Sequence, residues 1–265
     1  MTQQKHLQKV LLEIAKDLDA LCREHKIDYY LGGGGAIGAI RHSGFIPWDD
    51  DLDFLMTSYN YNRFITLCRK YLNPDKYYIQ EGLVDWPMPF TKIRLKGTYI
   101  EEHEGYMSAD GCNGIFIDIF RLDNLPDNPF LIRWQYVCAK IFLAYCLSQR
   151  TYESASLKKR LIMCLTFPLQ YKWIKTLLLN QIEKYNHLQE TNLYGCFWGR
   201  TRLKNAITPK EIYGKPLYVK FEDMLLPVPE KYHEYLTQFF GNYMSLPPVE
   251  QRVGSHITKI DFGQY

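Results

Sequence analysis

The chain has 265 residues, 46% hydrophobic, 23% charged and 15% aromatic, with a formal net charge of +3. That composition is ordinary for a globular protein with a real core, in one large domain or one domain with a helical elaboration. So mild a positive charge argues against nucleic acid as a partner, which would call for a basic stripe. The seven cysteines are odd in number and form no C-x-x-C pair. A disulfide framework or structural zinc site is therefore disfavoured, and a reducing cytoplasm is expected. The first residues lack an apolar signal-peptide core, and no uninterrupted apolar run is expected to cross a bilayer.

Leu7, Val10, Leu11, Ile14, Leu18, Leu21 and Cys22 recur at helical spacing, so an amphipathic helix is expected to open the chain. Residues 27–31 read as a short strand running into Gly32-Gly33-Gly34-Gly35, with a short helix over 36–41 behind the glycines. Strands are expected over 52–56, 77–80, 90–96 and 115–120, and a helix over 59–71. Residues 129–149 and 157–189 read as helices rich in Leu, Ile and aromatics and studded with Lys and Arg, the second broken or kinked at Pro168. Strands within 218–228 and a helical stripe from Tyr232 to Phe240, closed by Gly241, complete the chain. The pattern is α/β or α+β: a mixed-sheet core over 1–128, a helical insertion over 129–205, and a part over 206–265 that completes the core.

Asp49, Asp50, Asp51 and Asp53 crowd four carboxylates into five residues, framed by Phe45, Ile46 and Trp48 before them and Leu52, Phe54, Leu55 and Met56 after. Such charges repel unless a cation compensates. If a strand begins at Asp51, side-chain alternation turns Asp51 and Asp53 to one face, with Asp49 joining them. Convergent hard oxygens suit Mg²⁺, with Mn²⁺ the alternative. The competing reading is a solvated acidic turn or a helix-capping cluster. Asp118 stands alone in Gly114-Ile115-Phe116-Ile117-Asp118-Ile119-Phe120, where an unpaired carboxylate is costly to bury. It would complete a triad with Asp51 and Asp53, or else pair with an arginine for structural reasons.

Glycines after a strand permit close approach to a ligand, and the helix behind them would offer free N–H groups to a phosphate, so Gly34 and Gly35 are candidate donor contacts. The tract is neither a P-loop nor a dinucleotide-binding fingerprint. Lys92, Arg94 and Lys96 alternate with Ile93 and Leu95, which reads as a cationic strand face able to neutralise a diphosphate, or as a plainly solvated face. Arg41, close to the acidic run, is a further candidate.

The stretch from Gly34 to Asp53, with Ile46-Pro47-Trp48-Asp49-x-Asp51-x-Asp53 at its end, resembles the signature of the LicD family, phosphocholine transferases of bacterial surface glycans distantly similar to fukutin-type ribitol-phosphate transferases. Lys92-Ile93-Arg94, Thr98, the segment around Asp118, Leu226-Pro227-Val228-Pro229, Leu246-Pro247-Pro248 and His256 extend the resemblance over most of the chain. It implies a nucleotidyltransferase-like fold. Asp51 and Asp53, with Asp49, become metal ligands, and Asp118 the additional carboxylate. Arg121 stands where the family often has proline, a departure expected to alter a substrate or acceptor contact.

What the resemblance implies is transfer of phosphocholine, from CDP-choline or another CDP-linked donor, to a sugar hydroxyl of a lipopolysaccharide, teichoic acid or capsule glycan. Asp51, Asp53 and Asp118 would be the catalytic carboxylates, with Asp118 accepting the hydroxyl proton, while Lys92, Arg94 and Arg41 offset charge on the leaving CMP. Trp48, Trp86, Tyr106 and Trp198 are candidate ring faces for a quaternary ammonium, against the plainer reading of core aromatics. A lipid-linked acceptor implies work at the inner face of the cell membrane, and the basic, aromatic helices between Leu131 and Leu179 either lie on that surface or form an ordinary subdomain. Two other classes compete: a nucleotidyltransferase moving NMP from an NTP to a small molecule or RNA, and a non-catalytic choline- or glycan-binding module.

Overall fold

The computed structural model describes residues 2–102, 112–148, 166–188, 191–198, 202–254 and 257–265. Tyr106, His256 and the first part of the helix expected over 157–189 lie outside the described residues.

The opening helix α1 (Gln3–Glu24) starts at Thr2, whose hydroxyl accepts a hydrogen bond from the Lys5 N–H. Its stripe of Leu7, Leu11, Ile14, Leu18 and Cys22 is buried to 2% exposure or less. β1 (Tyr30–Leu31) is shorter than its sequence signal. α2 (Gly33–His42) contains three of the four tract glycines, so the segment expected as a turn is instead the first turn of a helix. Then follow β2 (Asp53–Thr57), α3 (Ser58–Tyr71), β3 (Tyr77–Gln80), β4 (Thr91–Leu95), β5 (Tyr99–Glu102) and β6 (Phe116–Leu125).

Five strands form the main path of a seven-stranded mixed sheet in the order β1-β2-β6-β4-β3, in which β2 and β6 run parallel and the other neighbours antiparallel. Alternation sorts its two faces. Phe54, Met56, Ile93, Ile117 and Ile119, all 0% exposed, build one face against α1 and α3. Asp53, Lys92 and Asp118 belong to the other.

α4 (Pro129–Ser148) and, after a 3-10 turn at Phe167–Gln170 that holds Pro168, α5 (Lys172–Glu183) lead to β7 (Leu193–Gly195), which pairs with the far end of β6. Short elements α6 (Leu203–Ala206), β8 (Ile207–Pro209) and α7 (Lys210–Tyr213) precede the hairpin of β9 (Leu217–Phe221) and β10 (Met224–Val228). α8 (Tyr232–Phe240) ends on Gly241 at φ 64°, and β11 (Ile257–Asp261) pairs with β5. Buried side chains fall into two clusters. The larger joins α1, the sheet, the hairpin and α8; the smaller gathers Ile132, Phe142, Ile182, Phe197 and Trp198 with Trp86, Phe90 and Leu125. By length and composition alone α4 is long and apolar enough to cross a membrane, where no such run was expected.

Arg121 and Asp123 lock the two clusters together. Arg121 Nε lies 2.7 Å from Asp123 Oδ1 and its NH2 2.8 Å from Glu183 Oε1. Asn186 and the Trp198 indole also donate to the fully buried Asp123 carboxylate. Arg121 therefore serves the protein interior, not the substrate contact that its departure from the family pattern suggested. Trp198 is likewise spent on this network. Asp123→Ala removes the fully buried partner of Arg121, Asn186 and Trp198, leaving Arg121 with Glu183, and should cost roughly 3–5 kcal/mol in urea unfolding; a loss under about 1 kcal/mol would show the network to be dispensable.

Candidate active site

Register places Asp53 of β2 beside Asp118 of β6, and Lys92 of β4 on the other side of Asp118. Directly paired residues project from the same face, so the three form a row across three strands. Lys92 Nζ lies 3.1 Å from Asp118 Oδ1 and 3.5 Å from Glu102 Oε2, with the Phe116 ring centroid 3.2 Å below it. Trp86 and Phe90 flank the same ammonium at 5.4 and 5.7 Å, so the ring face of Trp86 is turned to a cation of the protein itself.

The acidic run arrives from the other side. The strand begins at Asp53, so the period-two argument that set Asp51 above Asp50 does not apply to its start. Instead, oxygens of Asp49, Asp50 and Asp51 come within 4.8 Å of one another in the loop before it. α1 fastens that loop: the Gln8 amide donates to the carbonyls of Ile46 and Asp49, both at 3.0 Å, and Gln4 also donates to Asp49. The glycines of α2 have a steric reason here. A Cβ at Gly34 would overlap the Asp49 carboxylate, one at Gly35 would press on Leu52, and Gly33, at φ +45°, faces Asp53 Oδ2. The first turn of α2 thus lies directly against the carboxylates.

Electrostatics binds these pieces into one site. Burial raises the Asp53 carboxyl well above its usual range, and Asp51, Asp118 and Asp49 raise it further, with Lys92 opposing. Burial likewise pushes Asp49 up to about 8, helped by Asp51 and Asp50 and opposed by Arg41. Asp118 rises to about 6 through burial, held back by Lys92, with Glu102 and Asp51 adding to the rise. Asp51 is common to all three, which makes it the electrostatic centre. Asp118 Oδ1 accepts no hydrogen bond among the described residues although Lys92 stands close by. An under-satisfied buried carboxylate beside clustered hard oxygens is a donor set that fits a divalent cation.

The expected cations divide. Lys92 and Arg94 are 3% and 2% exposed, so their strand face is covered rather than solvated. Arg94 donates to Gln80 Oε1 at 2.8 Å and to the Gly114 carbonyl at 2.9 Å, bracing β3 and the approach to β6. Arg41 donates to the carbonyls of Tyr243 and Ser245 and to His42, within the field of Asp49. Arg252, which sequence reasoning passed over, sits in the field of Arg41 and 5.6 Å over the half-buried Trp48 ring. Tyr235 was also missed: its buried hydroxyl meets the Gly33 backbone and feels the charge of Asp53. Nothing local marks either residue in the sequence, because both reach the site by long-range packing.

The folded carboxyls hold protons in a range where those of the unfolded chain, near their ordinary value of 3.8, have lost them. Stability of the metal-free protein should therefore be highest at acid pH and fall as pH rises from about 4 through about 8. Thermal melts in chelator across that window should show the decline, and a divalent cation should restore the midpoint most at the alkaline end. A midpoint flat in pH and indifferent to the cation would contradict the clustering.

The mixed sheet carries paired aspartates behind a glycine-started helix, as the resemblance to a nucleotidyltransferase-like family led one to expect. A family model described as LicD/FKTN/FKRP, nucleotidyltransferase domain matches residues 26–128, the segment that supplies α2, β2, β4 and β6. The chain is 34% identical over 259 residues to the lipopolysaccharide cholinephosphotransferase LicD of Haemophilus influenzae, covering 94% of both chains. Shorter similarities, 44% over 43 residues, reach uncharacterized proteins of Rickettsia prowazekii and Rickettsia typhi. At that identity over nearly its whole length, the chain belongs to the LicD family.

Proposed function

We propose that this chain transfers phosphocholine from a CDP-linked donor to a hydroxyl of a surface glycan, with a divalent cation, Mg²⁺ or Mn²⁺, held among Asp49, Asp51, Asp53 and Asp118. The observation that carries this reading is the row of Asp53, Asp118 and Lys92, coupled through Asp51 to the acidic loop. The full-length similarity to a lipopolysaccharide cholinephosphotransferase supports phosphocholine as the transferred group and a glycan as acceptor.

When bound, the cation would polarise the phosphate oxygens and offset charge on the departing nucleotide. The chain's own groups do the rest. The first turn of α2, whose Gly32 cap makes no side-chain hydrogen bond and whose Gly33 meets Tyr235, would offer the N–H groups of Gly34 and Gly35 to a phosphate. Arg41 and Arg252 stand on the flank of the acidic loop, where an anionic donor would enter. Asp118, with a proton affinity near neutrality, is suited to accept the proton of the attacking hydroxyl. Trp48 is the candidate ring face beside the acidic loop, and a head-group ammonium there would compete with Arg252, which lies over the same ring. A lipid-carried acceptor places the reaction at the inner membrane face. A non-catalytic module leaves the clustered buried carboxylates without a purpose.

The test supplies purified protein, Mg²⁺, CDP-choline and a glycan acceptor. CMP should appear only when acceptor and cation are both present. Asp53→Asn and Asp118→Asn should each lower turnover by at least about a hundredfold. Release of pyrophosphate from an NTP would instead identify a nucleotidyltransferase, and unchanged turnover in both variants would remove the metal assignment. Arg252→Ala should raise the donor KM several-fold with kcat nearly kept, as loss of a charge-assisted phosphate contact predicts; an unaltered KM would clear Arg252 of that role.

A further inference from the structure

α4 is apolar around most of its circumference, yet protein covers one side of it. Cys138, Ala139, Phe142 and Cys146 enter the second core, whereas Phe130 (84% exposed), Trp134 (54%), Val137 (39%) and Ile141 (43%) follow one another at helical spacing on the outside. A helix that is hydrophobic all round is ordinarily covered all round. α5 packs beside it, with Trp134 Nε1 3.3 Å from Gln181 Oε1, and carries Trp173 (65%) and Leu177 (52%) outward. Charge supplies the second, independent observation. Residues 129–188 hold nine lysines and arginines against Glu153 and Glu183, a net +7 within a chain of net +3. Among the described residues of that stretch, Arg133, Lys140, Lys172, Lys175 and Lys184 stand against Glu183 alone, so α4, α5 and the residues beside them are basic as well as apolar.

We propose that α4 and α5 dock this face in the plane of an anionic lipid bilayer. Tryptophans and aliphatic side chains in a cationic setting are the chemistry of an interfacial helix, which gains from apolar insertion and from anionic headgroups together. Two copies of so basic a face repel each other, which disfavours a second chain as the occupant. The helices lie along the surface rather than through it. Gln135, 1% exposed, donates to the carbonyls of Asn124 and Ile182, and Lys140 Nζ donates to the Phe197 carbonyl at 3.1 Å. Crossing would break these bonds and carry Arg133 and Lys140 into hydrocarbon. The docked insertion also stays close to the chemistry, because its core includes Trp86 and Phe90, which flank Lys92. The inference rests on the glycan-transfer reading only for its purpose, delivery of a lipid-carried acceptor; docking itself needs neither donor nor acceptor.

The full chain is floated with vesicles of phosphatidylcholine alone and with vesicles rich in phosphatidylglycerol. Binding is expected to the anionic vesicles and to weaken as salt is raised. Trp134→Glu with Val137→Glu, and separately Trp173→Glu with Leu177→Glu, should each reduce it by at least about tenfold without moving the unfolding midpoint. Lys172→Glu with Lys175→Glu, which leaves the apolar stripe intact, should weaken it as well. CMP release on a water-soluble acceptor should stay at the wild-type rate in all three variants, so failure of docking and failure of the transfer reading are told apart. The inference is overturned if the anionic vesicles are not bound or if binding ignores all three substitutions. It is equally overturned if sedimentation shows the substitutions converting a dimer to a monomer.

Discussion

Everything at this site follows from carboxylates being packed where water cannot fully separate them. Asp49, Asp53 and Asp118 each have their proton affinity raised first by burial and then by neighbouring acids, and Asp51 acts on all three. Lys92 is the nearest compensating charge, and it is shared with Glu102. One ammonium is shared between two acids, while Arg41 opposes the rise at Asp49. The arrangement is poor for stability and suited to holding a positive charge brought from outside, which is the usual trade at a functional site.

The sheet enforces this arrangement through its core. Ile117 and Ile119 must face α1 and α3, and Phe54 and Met56 must meet them from β2. A slip of one residue between β2 and β6 would turn Asp118 into the apolar layer and an isoleucine toward Asp53. The burial that stabilises one face of the sheet therefore sets the register that confronts Asp53 with Asp118 on the other. The active-site pairing is a by-product of hydrophobic packing, paid for on the opposite side of three strands.

That coupling explains what could be read in advance. Asp118 was legible because a lone acid interrupts an apolar alternation, and the opening helix because its stripe has a clean period. The glycine tract misled, since glycine run on glycine signals a turn, whereas the closeness of Asp49 and Leu52 demands residues without side chains inside a helix. The alternation at Lys92 and Arg94 looks like one solvated face only while the covering layer is unknown. In the fold, rings lie over Lys92, and Gln80 and the Gly114 carbonyl take up Arg94. Gln4, Gln8, Glu102 and Arg252 carried no signal, because each acts on residues far away in sequence, and Tyr235 was legible only as one position of an apolar helical stripe.

The loop that carries Asp49 to Asp51 shows how the fold meets the repulsion locally. Its backbone is tied down: Gln8 and Gln4 hold the Asp49 carbonyl, Gln8 also holds that of Ile46, and Ile46 accepts from the Asp49 N–H at 2.9 Å. Amide donors on carbonyls fix the position of the acids without neutralising them, whereas a lysine in place of Gln8 would have satisfied the loop by cancelling its charge. Fixing charged groups in place before a ligand arrives is what gives a site one defined binding geometry. The opening helix, remote in sequence from every candidate ligand, is in that sense part of the active site.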